Sequence, residues 1–584
     1  MPDSLTMPER QHLVTVALED YFHVGAFNRL IQHGQWYRFE TRVERSTRRT
    51  LDLLDEYGIQ ATFFVLGWIG EHLPEVIREV AARGHEIASK GYYHRSISQM
   101  TPDEFRDDLA APREVLQRAS GQRVLGFRVA DEWFRPSDIW ALDVLCQEGY
   151  EYDSSIAPML WRWGAEPWRR FAHTHSFGDR QLWEFPISSL DYFGLQVPIG
   201  GNWLRQLPPA LTRRAVARWH RGYRAPFVLY FHTWELDPQQ PKISAASAFQ
   251  QVRQYRNLDT IPARLSWFFE RYRYTSVAQH LGLATTLPGR VPTPIPGPPR
   301  IRRPEAPALL RGTAAATGER TPITVIVPCY NEELILPYLA NTLRSVEERL
   351  GDRYEFRYVF VDDASSDDTW QALHRTFGDL PSRTFVRHGT NRGVAAGIAS
   401  GLRAADTEIV CSIDCDCTYD PHELGRMIPL LASADVVIAS PYHRDGAVRN
   451  VPSWRLFLSR GLSGLYRMVL SHQLATYTSC FRVYRRSSSL DVELRYTGFL
   501  GVAEFIGRMD LAGRRIIEFP TTLEVRMIGR SKMKVVRTIG GHLKLLARLA
   551  WARMTLDDRT ARPGASPQLN IDSPAATGTS PVSV

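Results

Sequence analysis

Hydrophobic and polar positions alternate along this chain in two recurring forms. Short β-branched and aromatic runs bounded by polar turns predict strands at 14–18, 61–66 and 227–231. Longer stretches with apolar residues three and four apart predict helices over 50–57 and 102–119. The same forms return later, with strands expected at 323–327, 358–361, 408–413 and 436–439, the first three running into acidic or polar loops. Strands alternating with helices are the habit of parallel-sheet α/β architecture, in which ligands bind at the carboxyl ends of strands.

The pattern breaks twice. Residues 282–321 are rich in proline, alanine and arginine, include Pro292-Thr293-Pro294-Ile295-Pro296-Gly297-Pro298-Pro299, and read as an extended linker. Residues 556–584, rich in Ser, Pro, Thr and Ala, read as a disordered tail. Two bodies remain, 12–281 and 322–555, as expected for a chain of 584 residues, which is too long for one core.

Composition changes this picture little. No apolar run is long enough to span a bilayer and the first residues are polar, so the expectation is a cytoplasmic chain, resting at most on the inner face of the cytoplasmic membrane. A net charge of +8 is modest for this length and points weakly to anionic ligands, with no indication of nucleic-acid binding. Six cysteines, mostly in or beside strand-like runs, read as reduced thiols. Cys411, Cys415 and Cys417 share the parity of a strand face without tetrahedral spacing, so they are not read as a zinc site.

The chemistry lies at the strand ends of the second body. The first strand ends in Val327-Pro328-Cys329-Tyr330-Asn331-Glu332-Glu333, the second in Val361-Asp362-Asp363-Ala364-Ser365-Ser366-Asp367-Asp368-Thr369, the third in Asp414-Cys415-Asp416. Two carboxylates one residue apart can face one hard divalent cation and leave its other positions to diphosphate oxygens. That is what departure of a nucleotide diphosphate from a sugar requires. Asp362 and Asp363 add acceptors suited to ribose hydroxyls or base edges, and on the plainer reading Asp362 and Asp367 cap a helix.

This succession, with Asn391-Arg392-Gly393 between the second and third motifs, resembles the family 2 glycosyltransferases of the GT-A fold over nearly all of 322–550. Ser479-Cys480-Phe481-Arg482 looks like the Ser-Gly-Phe-Arg stretch of the polyprenyl-phosphate branch, with Cys480 in place of glycine. Arg526-Met527-Ile528-Gly529-Arg530-Ser531-Lys532 looks like that branch's basic loop. The resemblance implies an α/β/α nucleotide-sugar-binding domain in which Pro328, Tyr330, Glu332, Asp362 and Asp363 hold the nucleotide. It further implies that Asp414 and Asp416 hold Mg2+ or Mn2+, and that Arg526 and Lys532 grip phosphate or, on the plainer reading, form a surface pair. Glu504 is a candidate base or acceptor-site acid, or else an ordinary solvated helix residue. The implied partners are a nucleotide-sugar donor and a lipid-phosphate or glycan acceptor. Residues after Asp416 lack the glutamine usual in dolichol-phosphate mannose synthases, so that donor and acceptor do not carry over. The stretch 538–554 has the pattern of a basic amphipathic helix, either lying on a membrane or docked on its own domain.

The first body carries Leu18-Glu19-Asp20-Tyr21-Phe22-His23, Gly84-His85-Glu86-Ile87-Ala88-Ser89-Lys90-Gly91-Tyr92-Tyr93-His94 and Tyr230-Phe231-His232-Thr233-Trp234-Glu235. These resemble the polysaccharide deacetylases of the chitooligosaccharide-deacetylase type, in the branch found beside exopolysaccharide genes, and imply a distorted (β/α) barrel. By that resemblance Asp20 and His94 are metal ligands, Glu19 the base and His232 the acid. The remaining ligand position is Lys90, and a protonated ammonium has no lone pair to give a cation. The Arg-Ala-Pro of active members is Arg128-Val129-Ala130 here, followed by Asp131-Glu132, either of which is a possible replacement carboxylate. The expectation is a degenerate site with Lys90 in the cation position, paired with Asp20. For the whole chain, the alternatives to a transferase with a silent first half are a bifunctional deacetylase/glycosyltransferase and a non-catalytic scaffold.

Overall fold

A computed structural model describes residues 10–158, 166–192, 195–287, 320–451, 453–529 and 535–560. The chain divides into two compact units, Met1–Gly318 with Glu332–Arg349 and Val525–Ser531, and Glu319–Asn331 with Leu350–Glu524 and Lys532–Val584.

The first sheet is built from β1 (Gln11–Leu18), β2 (Thr62–Val65), β3 (Glu86–Ser89), β4 (Gly126–Phe127), β5 (Tyr152–Asp153), β6 (His173–Phe177), β7 (Arg180–Glu184), β10 (Val228–His232) and β11 (Arg273–Thr275), with β8 (Ser189–Tyr192) and β9 (Leu195–Pro198) forming a separate hairpin. Its order is β10-β1-β2-β3-β4-β5-β7-β6, with β11 also on β1. Every pairing from β10 to β7 is parallel. Between β7 and β10 a side chain stands in for a ladder: the Val228 amide donates to Ser188 Oγ at 2.8 Å. The result is the expected distorted (β/α) barrel. Leu13, Phe64, Ala88, Tyr152 and Val228, one from each of five strands, fill its interior. Gly126 is required there, because a Cβ would lie 1.9 Å from the Tyr152 ring.

The second sheet contains β12 (Thr321–Cys329), β13 (Tyr354–Asp362), β14 (Arg383–Arg387), β15 (Ile409–Ser412), β16 (Val436–Ser440), β18 (Arg482–Arg485) and β19 (Ile516–Pro520), in the order β14-β13-β12-β15-β18-β16-β19. Only β18 runs antiparallel to its neighbours. A two-stranded ribbon joins β17 (Ala447–Arg449) to β20 (Thr522–Glu524). Helices Val394–Ala404 and Phe499–Leu511 close one face over Ile326, Val359, Val361 and Val410. This is the α/β/α arrangement of a GT-A domain, with β12, β13 and β15 delivering the three motifs to one edge.

The predicted strands all form, each within a few residues. The helix expected over 50–57 begins earlier, as Val43–Glu56, because its first turns bury Ser46, Thr47 and Thr50, small polar residues that apolar periodicity does not register. The first body also runs past 281: the Arg123 amide donates to Thr285 O at 2.6 Å, so the start of the expected linker belongs to the barrel. The rest of that linker lies outside the described residues. The last helix, Val535–Thr560, extends into the expected tail, and the first proline after it is Pro563.

Candidate functional site

In the second body the first two strand-end loops are bonded to each other. The Asp363 amide donates to Cys329 O at 2.9 Å, and the Asn331 amide to Ser365 Oγ at 2.9 Å. The Ser366 amide donates to Asn331 Oδ1 at 2.7 Å. Asn331 adopts a left-handed φ of 52°, which asparagine tolerates better than most residues. Pro328, next to last in β12, lies beneath helix Val394–Ala404, where Gly397 leaves room: a Cβ there would lie 3.1 Å from the proline ring. Tyr330 is half-buried in the same loop. Glu332 receives a hydrogen bond from the Arg526 guanidinium, so two residues expected to meet the donor are already paired. Lys532 lies outside the described residues.

Asp362 and Asp363 are both buried. Asp363 Oδ1 accepts from the Arg392 amide at 2.8 Å and Oδ2 from the Gly393 amide at 2.6 Å, while His388 Nδ1 lies 2.7 Å from Oδ1. Its carboxylate therefore fixes the turn that starts helix Val394–Ala404. Asp362 Oδ1 accepts from the Ser365 amide at 3.1 Å, and Arg387 Nε lies 3.1 Å from Oδ2. Asp367 accepts from the Thr369 amide at 3.1 Å, one residue before Asp368, which is the N-cap of helix Thr369–Phe377.

Gly393, at φ 92°, packs so closely that a Cβ would lie 2.5 Å from Gly498 Cα. The loop carrying Gly498 is held by Glu504, which is not the solvated helix residue weighed above. Glu504 Oε2 accepts from the Arg495 and Tyr496 amides, both at 2.9 Å, and Oε1 from Arg508 Nε at 2.9 Å. It is 2% exposed and sits in the chain as a buttress for the loop, with both oxygens engaged.

Burial alternates after β15: Cys415, Cys417 and Tyr419 enter the core, whereas Asp414, Asp416 and Thr418 remain partly exposed. The turn is closed by the Cys417 amide on Asp414 O at 3.1 Å, with Cys417 at φ 51°. Asp416 also accepts from the Thr418 amide at 3.1 Å. Two partly exposed carboxylates one residue apart are the donor type that a hard divalent cation takes, and such a cation would be held by Asp414 and Asp416. Among the described residues no three His, Cys, Asp or Glu side chains are grouped so as to hold a metal ion by themselves. Burial, then the neighbouring Asp414, push the Cys480 thiol far above its ordinary range, so it stays protonated and donates to Asp414.

In the barrel, Glu19 is the hub. Lys90 donates its ammonium to Glu19 Oε2, His232 Nδ1 lies 2.6 Å from Oε1, and His94 Nε2 lies 3.5 Å from Oε2. Burial opposes ionisation of Glu19, but Lys90 and then His232 outweigh it and hold the carboxyl well below its ordinary range. Asp20 is not paired with Lys90, contrary to expectation. Its Oδ2 accepts from Thr41 Oγ1 at 2.8 Å and from the Arg42 and Val43 amides at 2.7 and 3.1 Å. It thus caps helix Val43–Glu56, and burial raises its pKa to about 6. Arg128 bonds Ser154 Oγ at 2.8 Å and Thr15 Oγ1 at 3.0 Å. Asp131 reaches the His94 side through Asn28, whose Nδ2 donates to Asp131 Oδ2 at 2.7 Å and lies 3.2 Å from His94 Nδ1. Glu132 turns away to Ser96 and Arg135. With an ammonium on the base and Asp20 committed to a helix cap, these residues do not fit a divalent cation.

Residues 324–492 match Glycosyl transferase family 2. Polyprenol monophosphomannose synthase of Mycolicibacterium smegmatis is 31% identical over 41% of this chain and 88% of its own length. The chain belongs to glycosyl transferase family 2. Undecaprenyl-phosphate mannosyltransferase of Micrococcus luteus is 30% identical over 36% of this chain and 87% of that protein. Dolichol-phosphate mannosyltransferase of Pyrococcus furiosus is 26% identical over 39% of the chain, which spans only 63% of that relative. The barrel of this family 2 glycosyltransferase matches Polysaccharide deacetylase over 35–131 and a domain of unknown function, DUF3473, over 154–282.

The residues that the sequence reading missed are polar and local: Asn331, Ser365, His388 and Asn28. His388 follows the strand-like Thr384-Phe385-Val386, a position from which a polar residue faces the ligand edge, and that signal was available.

Proposed function

We propose that this glycosyltransferase moves a sugar from a nucleotide-sugar donor onto a polyprenyl phosphate, at the inner face of the cytoplasmic membrane, in the synthesis of an exopolysaccharide or envelope glycan. The observation that carries the acceptor is the engagement of Glu504. A sugar hydroxyl needs a base to become a nucleophile, whereas a phosphate monoester oxygen is already anionic. With both Glu504 oxygens held by the chain, the motif offers no free base there, and an acceptor that needs none fits better. The named acceptors of the Mycolicibacterium and Micrococcus relatives, polyprenol and undecaprenyl phosphate, support the same choice.

A divalent cation on Asp414 and Asp416 would neutralise the departing diphosphate. The chain's own contribution is positioning: Asp363 fixes the Gly393 turn, and Glu504 backs that turn through Gly498. The barrel, in this reading, no longer hydrolyses acetamides and serves to bind glycan or a partner, because Lys90 neutralises the group that would act as base.

The test is incubation of the purified chain with a panel of labelled nucleotide sugars, Mg2+ or Mn2+, and either polyprenyl phosphate or oligosaccharides. The expected product is label extracted with the lipid. Label found only in oligosaccharide would refute the acceptor.

A further inference from the structure

We propose that helices Ser453–Val469 and Val535–Thr560 together form a docking face for an anionic phospholipid surface; this rests on the lipid-linked acceptor reading above. The sequence pattern points to the second helix alone, whereas the structure adds the first. Phe457 and Met468 are 78% and 77% exposed on one, and Leu543, Trp551 and Met554 are 53%, 68% and 59% exposed on the other. Phe457, Gly461, Gly464 and Met468 follow one helical stripe, as do Leu543, Ala547, Trp551 and Met554. The inward positions between them, Leu545, Leu546 and Leu549, are buried in the domain core, so the exposed stripe is a second apolar face and not a misassigned core.

The stripes meet at an open crevice lined by Arg467, Met468, Arg553 and Met554, where Arg553 Nη1 donates to Val469 O at 2.7 Å. Arg460, Arg467, Lys544, Arg548 and Arg553 flank the apolar residues; 453–469 contains no acidic residue, and the acidic residues of Val535–Thr560, Asp557 and Asp558, come only in its last turn. Methionine and tryptophan side chains ringed by arginine and lysine suit the boundary between headgroups and acyl chains, with the cations at the phosphates. The same charge argues against a second copy of the chain, which would set these cations against one another. No described helix is long and apolar enough to cross a membrane, so this face would lie on the surface.

The test uses the full chain in flotation with vesicles of phosphatidylcholine alone and with phosphatidylglycerol added. Two variants accompany it, Trp551→Glu/Met554→Glu and Arg467→Glu/Lys544→Glu. The wild type is expected to float with the anionic vesicles and to be released by salt, and each variant to bind at least about tenfold more weakly. With a short-chain, water-soluble polyprenyl phosphate the variants should match the wild type, which also reports correct folding. With the long-chain phosphate in vesicles they should lose about as much activity as they lose binding. Equal binding to both vesicle types, variants that float like the wild type, or self-association without vesicle binding would each overturn the docking face. A chain that floats as predicted but transfers to neither polyprenyl phosphate would instead retire the acceptor reading and leave the face standing.

Discussion

The ammonium of Lys90 is paired with Glu19, the residue that the deacetylase resemblance implies as base, and not with Asp20. Both partners are almost fully buried, so the pair balances its charges internally. Removing one member of such a pair strands the other. Lys90→Met should therefore cost roughly 3 kcal/mol in denaturant unfolding of the barrel, and Lys90→Met/Glu19→Gln clearly less than the sum of the two single variants. Additive losses would mean that the two groups do not depend on each other.

Asp363 joins the second strand-end loop to the Gly393 turn through two short hydrogen bonds. Gly393→Ala would force a Cβ into Gly498 and a left-handed φ on alanine, and should abolish transfer or solubility. Asp363→Asn turns one acceptor into a donor facing an N–H, at a cost of about 1–3 kcal/mol. The check is the thermal midpoint beside the turnover rate; a variant with unchanged stability but no donor binding would instead place Asp363 on the nucleotide.

If Glu504 is a buttress, Glu504→Gln keeps one acceptor for the 495–496 amides and loses the charged bond to Arg508. The rate should fall by less than about tenfold with the pH profile unmoved, since loss of a general base typically costs about 100-fold or more. A large fall confined to kcat, with one limb of the profile lost, would restore the base.

A pH effect is expected from Asp108, which accepts from the Tyr92 amide at 3.2 Å beneath the loop after Lys90. Burial raises its pKa to about 7, with Arg95 opposing. The folded barrel thus holds a proton that the unfolded chain releases near pH 4, so stability declines as pH rises from about 4 through 7, by up to about 4 kcal/mol. Asp108→Asn should raise the thermal midpoint at pH 8 and change it little at pH 4. An equal shift at both pH values would contradict this.

Strand positions and the order of motifs were legible in the sequence because apolar runs and strand-end carboxylates are local signals, whereas the grouping of Glu332–Arg349 and Val525–Ser531 with the first unit was not. The direction of individual carboxylates was not. Asp20 became a helix cap because Thr41, Arg42 and Val43 arrive beside it only in the folded barrel. Glu504 became a buttress because the loop at 495–498 turns back on its helix. Along the turn carrying Asp414 and Asp416, by contrast, burial alternates as the residue types predict, with the cysteines inside and both carboxylates partly exposed.

The central claim is transfer at the Asp414–Asp416 edge. The most direct measurement is nucleoside-diphosphate release across a panel of nucleotide sugars with polyprenyl phosphate present, for the wild type and for Asp414→Asn/Asp416→Asn. The account predicts release that requires Mg2+ or Mn2+ and disappears in the double variant. Release that persists at wild-type rate in the variant, or is indifferent to chelation of the metal, would contradict it.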